Sequence, residues 1–189
     1  NTCMNNHYGI HLYYSDKNTL SNNTCKNNNY GIYLETSKNN VVYNNIVKNN
    51  DYGFSLCCLS DNNLISNNNF INNTSQAIDR RKNCWGNDYP SGGNYWSDYN
   101  GRDNFRGENQ DIPGSDGIGD TPYIIPGDNN RDRYPLMNPA GARSTIQLKL
   151  AGENTSKVYL AFFGNPGCPP CDDAWEMIIR LEQEYSNLE

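Results

Sequence analysis

The chain has no run of ~18 apolar residues, the length that the hydrocarbon core of a bilayer demands of a helix, so nothing in it reads as a membrane span. Charge is scarce, at 19%, and cations are scarcer: 15 Lys and Arg face 21 Asp and Glu, for a net charge of −6. That balance leaves no basic patch for nucleic acid. The start lacks Met and the basic and apolar regions of a secretory signal, and the end falls inside an amphipathic pattern, so both termini read as cuts in a longer protein. Seven cysteines, an odd number, exclude a fully paired disulfide framework within one chain. Against these shortages stands one excess. The chain has 34 Asn, 22 of them in residues 1–73, together with 14 Tyr. Low charge with many aromatics does not describe a disordered tail, so an ordered structure must be using the amides. Candidate glycosylation acceptors at Asn22, Asn72, Asn73 and Asn154 carry little weight in so Asn-rich a chain.

The amides are periodic. Tyr8-Gly9-Ile10 returns as Tyr30-Gly31-Ile32 and as Tyr52-Gly53-Phe54, a spacing of 22. Leu12, Leu34 and Leu56 share a column, as do Leu20, Val42 and Ile65, the last shifted by one residue. Cys3, Cys25, Val47 and Phe70 form a third column, and Asn1, Asn23, Asn45 and Asn68 a fourth. A fixed period of this size means stacked units, none of which can bury its apolar face alone. Leucine-rich repeats share the period but need more Leu and a helical segment, whereas the apolar residues here alternate with polar ones, as in strands. Asn and Gly fall at corners, where left-handed backbone is tolerated. Coils stacked at the inter-strand distance of ~4.8 Å would let each Asn bond to the Asn above and below it. The expected fold is mainly β, a right-handed parallel β-helix of four coils over residues 1–82.

These motifs resemble a known family. Asn-Asn-x-x-Tyr-Gly-Ile-x-Leu followed by Asn-rich corners is similar to the repeat of NosD-like and related carbohydrate-binding surface proteins of archaeal type. The resemblance continues through Asn83-Cys84-Trp85-Gly86-Asn87, Gly93-Asn94-Tyr95-Trp96-Ser97-Asp98-Tyr99, Asp116-Gly117-Ile118-Gly119-Asp120-Thr121-Pro122-Tyr123 and Asp132-Arg133-Tyr134-Pro135-Leu136. It implies an irregular C-terminal cap over residues 83–139 and an extracellular, cell-surface or periplasmic location. Its members include copper-site maturation proteins, sugar-active enzymes and surface-layer components.

The sequence offers few reactive groups in the coils. A glycoside hydrolase needs two carboxyl groups about 5–9.5 Å apart. In the 22-residue alignment Asp16 stacks over Lys38 and Ser60, and Glu35 sits between Tyr13 and Cys57, so no column pairs two acids. His7 and His11 read as an exposed corner and a strand residue rather than metal ligands, and Cys3 and Cys25 as neighbours in an apolar column. In the cap, Trp85, Tyr95, Trp96 and Tyr99 are candidates both for covering the open solenoid end and for stacking on glycans. Asp111, Asp116 and Asp120 resemble part of a calcium loop, although Gly114 and Ile112 stand where such a loop has acids. No cofactor is required; calcium is the candidate ion.

A second unit is expected over residues 140–189, after the linker around Pro139. A continuous apolar run, Val158–Phe163, leads to Cys168-Pro169-Pro170-Cys171 and then to apolar residues at helical spacing, Ala174, Trp175, Ile178 and Leu181. Strand, CxxC and helix together resemble the opening of the thioredoxin fold. A helix N-terminus favours a thiolate, and the resemblance implies Cys168 as nucleophile and Cys171 as resolving partner. Half of a zinc site is the rival reading, but no second CxxC is present. The expectation is an exported β-helix module, with glycans or surface proteins as partners, joined to a thiol–disulfide exchange unit acting on exported proteins. The rivals are a non-enzymatic adhesin or copper-delivery accessory, and a sugar-active enzyme whose site lies outside this segment. Enzymatic activity, if present, belongs to the CPPC motif.

Overall fold

The computed structural model describes residues 1–141; the expectations placed beyond Gly141, Cys168 and Cys171 among them, lie outside the described residues. Every regular element among the described residues is a strand. The first coil is β1 (Thr2–Met4), β2 (Tyr8–Tyr13) and β3 (Thr19–Ser21). The second is β4 (Thr24–Lys26), β5 (Tyr30–Glu35) and β6 (Val41–Tyr43), and the third β7 (Ile46–Lys48), β8 (Tyr52–Cys57) and β9 (Leu64–Ser66). A fourth begins with β10 (Asn69–Ile71) and β11 (Ser75–Asp79). Stacking turns these into three parallel sheets: β1-β4-β7-β10, β2-β5-β8-β11 and β3-β6-β9. The parallel β-helix read from the sequence is the observed fold.

Strand alternation sends one set of side chains inward, and the register places like over like. Cys3, Cys25, Val47 and Phe70 pair in succession, as do Ile10, Ile32 and Phe54, and Leu12, Leu34 and Leu56. From the second coil onward these side chains are buried, each burial contributing about 1.5–3 kcal/mol for a full-sized apolar group. The glycine of the Tyr-Gly-Ile motif lies inside a strand and not at a corner, and its cause is steric. A Cβ at Gly31 would lie 2.6 Å from the Gly53 carbonyl oxygen in the next coil, so only glycine lets the coils approach there.

The Asn-Asn pairs divide two tasks. Asn22, Asn27, Asn39, Asn44, Asn49, Asn62, Asn67 and Asn72 have φ between 51° and 59°, a left-handed conformation that Asn tolerates better than most residues. Each turns a corner. The Asn that follows points inward and forms a rung. Asn1, Asn23, Asn45, Asn68 and Asn94 each pass an amide hydrogen to the next, at 2.9–3.2 Å. Asn18, Asn40, Asn63 and Asn83 form a second ladder, and Asn28, Asn50 and Asn73 a third.

All three ladders donate towards the C-terminal end, and each ends on a carboxylate. Asn94 reaches Asp132 at 3.3 Å, and Asn83 reaches Asp79 at 3.0 Å. Asn73 passes through Gln76 to Asp98, the last step at 3.2 Å. A carboxylate only accepts, so it closes a row of donors without leaving another amide to satisfy. Asp79 occupies the position in register with Leu56, and it also accepts Trp85 Nε1 at 2.7 Å.

The cap adds β12 (Tyr95–Trp96), parallel to β10, and two short antiparallel pairs. These are β13 (Phe105–Arg106) with β14 (Ile112–Pro113), and β15 (Tyr123–Ile125) with β16 (Asn130–Asp132). Trp96 stacks on Phe70 with centroids 4.4 Å apart, and Tyr123 covers its other side at 4.2 Å. The open cross-section of the solenoid is thereby closed with aromatic rings.

One register expectation needs correction. The third coil carries an extra residue in the turn between Cys57 and Ser60, where Ser60 N donates to Cys57 O at 3.2 Å. Ser60 therefore sits below Ser37, whose N–H it accepts at 3.1 Å, and Asp61 takes the place below Lys38. Asp16 and Asp61 remain two coils apart with Lys38 between them, and Asp61 is bound bidentately by Arg81 at 2.9 and 2.8 Å.

Candidate functional site

The outward face of the β2-β5-β8 sheet gathers the chemistry that the coils otherwise lack. Register stacks Tyr8, Tyr30 and Tyr52 in one file, with ring centroids 5.4 and 5.0 Å apart. His11, Tyr33 and Ser55 form a second file, and Tyr13, Glu35 and Cys57 a third. The rings lie over one another along the stack, so Tyr30 has Tyr8 on one side and Tyr52 on the other. A shallow cleft of about 230 Å³ opens among Tyr30, Tyr33, Tyr52, Ser55, Ile78 and Arg80.

At the edge of this face the extra residue of the third coil creates a cluster. Cys57 ends β8 in register below Glu35, and Cys58 follows with φ 62°, a left-handed turn. In a continuing strand, adjacent side chains point to opposite faces. The turn instead brings Sγ of Cys58 to 2.7 Å from Sγ of Cys57. One ligand atom from each of Glu35, Cys57 and Cys58 lies within 4.8 Å of the others, the one such grouping of His, Cys, Asp or Glu among the described residues. Around it, Tyr33 places its hydroxyl 3.0 Å from Cys57 Sγ, and His11 Nε2 lies 3.4 Å from Glu35 Oε2. Burial, reinforced by the Cys58 hydrogen bond, pushes the Cys57 thiol up to about 11 against the opposing contact from Tyr33. Burial likewise raises the Tyr33 phenol, with Cys57 adding to it. Two thiols and a carboxylate converging on an exposed edge can hold a soft metal ion or exchange with disulfides.

The residues singled out from sequence fare differently. Trp85 and Trp96 are 3% and 1% exposed; Trp96 is stacked between Phe70 and Tyr123, and Trp85 meets Phe54 in a T-shaped contact. Neither offers a face to a glycan, which corrects that half of the expectation: with no period in the cap, sequence could not tell a covering ring from a surface ring. Tyr95 and Tyr99 are half-buried, and Tyr99 donates its hydroxyl to Thr121 O at 2.7 Å. Asp116 accepts Ile118 N at 3.0 Å and Gln110 Nε2 at 3.2 Å, while Asp120 accepts Asn104 N and Phe105 N at 3.0 Å each. Asp111 is exposed. The structure does not bring the oxygens of these three acids together in a group like that at Glu35. His7 is an exposed residue packed edge-on against Tyr8. Cys25, in register with Cys3 and fully buried, has its thiol pushed up to about 12 by burial and faces only the core.

Sequence reasoning passed over Cys57 and Cys58. The signal was present: a Cys-Cys pair at the one place where the period slips, with Glu35 exactly one 22-residue step above Cys57.

A search of curated proteins and a search of solved structures each return no match. The family model described as periplasmic copper-binding protein (NosD) matches residues 1–101, more than half of the 189 residues. With that match and a parallel β-helix built on the same repeat, the chain belongs to the NosD family.

Proposed function

We propose that the chain is a periplasmic or cell-surface β-helix module that binds copper as Cu(I) through Cys57, Cys58 and Glu35. The observation that carries this reading is the convergence of two thiols and a carboxylate on the edge of the tyrosine-lined face. The donor set fits the family description, because thiolates are soft ligands that select Cu(I) over the harder divalent ions. His11 supports the site from behind by meeting Glu35, as outer partners of ligands commonly do. Glu35 and Cys57 end the strands β5 and β8 and Cys58 opens the short turn that follows, so the ligands are held at strand ends rather than by a long loop. The CPPC motif would add a thiol–disulfide exchange unit to the same exported chain, supported by the sequence motif at Cys168 and Cys171.

Competition for Cu(I) against a coloured chelator tests the reading. In full-length protein carrying Cys168→Ser and Cys171→Ser, one equivalent of Cu(I) should remain bound, and Cys57→Ser with Cys58→Ser should abolish it. Unchanged stoichiometry in that double replacement would refute the assignment. His11→Phe should weaken binding by about tenfold, the lower end of the effect of losing an outer partner.

A further inference from the structure

Beyond metal binding, we infer that Cys57 and Cys58 form a reversible vicinal disulfide, making this edge of the β-helix a second thiol–disulfide exchange site, separate from the CPPC motif. The geometry of the turn points to it. Adjacent residues in a strand cannot bring their sulfurs together, yet the left-handed conformation of Cys58 puts the two Sγ atoms 2.7 Å apart on one side of the chain. The Ser60 N–H to Cys57 carbonyl contact at 3.2 Å holds that turn closed, and the extra residue of the third coil supplies the chain it needs. Cys58 is exposed and meets an incoming reagent first; Cys57 is less exposed.

The bond so formed is suited to exchange rather than to bracing the fold. Adjacent Cα atoms across a trans peptide are about 3.8 Å apart, short of the roughly 4.4–6.8 Å spanned by unstrained disulfides. A strained, exposed disulfide is the readily reduced kind, and one that links neighbours closes no loop of chain whose entropy it could remove. The oxidant is a disulfide, RSSR, of a small thiol or of a partner protein. The Cys58 thiolate attacks one of its sulfurs, the S–S bond of the oxidant breaks, and the first RS⁻ leaves. The Cys57 thiolate then attacks Cys58 Sγ, the mixed disulfide breaks, and the second RS⁻ leaves. The two protons released by the cysteines are taken up by the two RS⁻ groups. In sum, two protein thiols lose two electrons to RSSR, giving the vicinal disulfide and two RSH; excess thiol runs the sequence backwards. A consequence for copper rests on the reading above: the oxidised pair presents no thiolates, so copper is held only by the reduced face.

Full-length protein equilibrated anaerobically over a series of reduced-to-oxidised glutathione ratios, then quenched, alkylated and cut with trypsin, gives the test. The tryptic peptide Asn49–Arg80 contains no cysteines other than these two. It should pass reversibly from a doubly alkylated form to an unalkylated form lacking two hydrogens. A peptide that stays doubly alkylated at every ratio, or that stops as a glutathione adduct, would overturn the inference. The copper titration separates the two readings. If no disulfide forms but Cys57→Ser with Cys58→Ser still removes one bound Cu(I), exchange is wrong and the copper site stands. If the disulfide forms but the replacements leave copper binding unchanged, exchange stands and the copper site is wrong. Both stand if oxidation of the Cys168→Ser, Cys171→Ser protein releases its copper, and reduction followed by removal of the reductant restores binding of added Cu(I).

Discussion

In the coils, an asparagine sits beneath an asparagine, and each amide both donates and accepts; at the C-terminal end the ladders run out on carboxylates, Asp79 at the end of β11 and Asp98 and Asp132 in the cap, which accept from the last amides. The two regions also differ in how their apolar columns end. Small Cys3 and Cys25 open one column, and Phe70 and Trp96 close it. The lesson is that a repeat can propagate itself but cannot finish itself. A row of identical donors needs a terminal group of different chemistry, and an apolar bore needs a plug wider than its own side chains.

The sharpest way to break this comparison is at the terminator. Asp132 accepts Asn94 N, Asn94 Nδ2, Trp96 Nε1 and Tyr134 N. Asp132→Ala leaves these buried donors without it, and at about 1–3 kcal/mol per unsatisfied group the expected loss is about 4 kcal/mol or more in denaturant unfolding. A loss near that of an exposed substitution would mean that the ladders need no acceptor at their ends. Next comes the plug: Phe70→Ala should cost about 3–5 kcal/mol and loosen the Trp96 environment, seen as a red shift in tryptophan emission.

Within the coils, neighbouring residues should answer differently. Asn45→Ala removes a fully buried rung that bonds to Asn23, Asn68 and the Leu20 carbonyl, and should cost about 3 kcal/mol. Asn44→Ala disturbs only an exposed corner with φ 54°, and should cost about 1 kcal/mol. Equal losses at the two positions would dissolve the division of tasks within each Asn-Asn pair. The smallest effect is with pH. Burial outweighs the four donors and pushes Asp132 up to about 6, above the ordinary carboxylate value near 3.9. Its contribution is therefore complete below the unfolded value and is lost as pH rises through about 6. Melting temperature should fall slightly from pH 5 to pH 8, and Asp132→Asn should flatten that slope.

Much of the β-helix was legible in the sequence because its period survives almost unbroken: Tyr-Gly-Ile, the Leu column and the Asn column all land where stacking puts them. The limits have physical causes. A single added residue between Cys57 and Ser60 leaves two registers equally consistent with a short stretch of sequence, one with Ser60 below Lys38 and the observed one with Asp61 there. The same residue creates the left-handed turn that turns Cys58 back towards Cys57, and no alternation rule anticipates two neighbours sharing a face. In the cap no repeat exists to assign an inside and an outside, so the sequence leaves Trp85 and Trp96, both buried, as candidates for covering the end and for facing a ligand alike.

The proposed copper centre is tested most directly by the sulfur shell around bound Cu(I). X-ray absorption on the full-length Cys168→Ser, Cys171→Ser protein should find two sulfur neighbours per copper, and these should vanish when Cys57 and Cys58 are also replaced by Ser. A sulfur shell that persists in that protein, or a shell without sulfur before the replacement, would contradict the assignment of Glu35, Cys57 and Cys58 as the site.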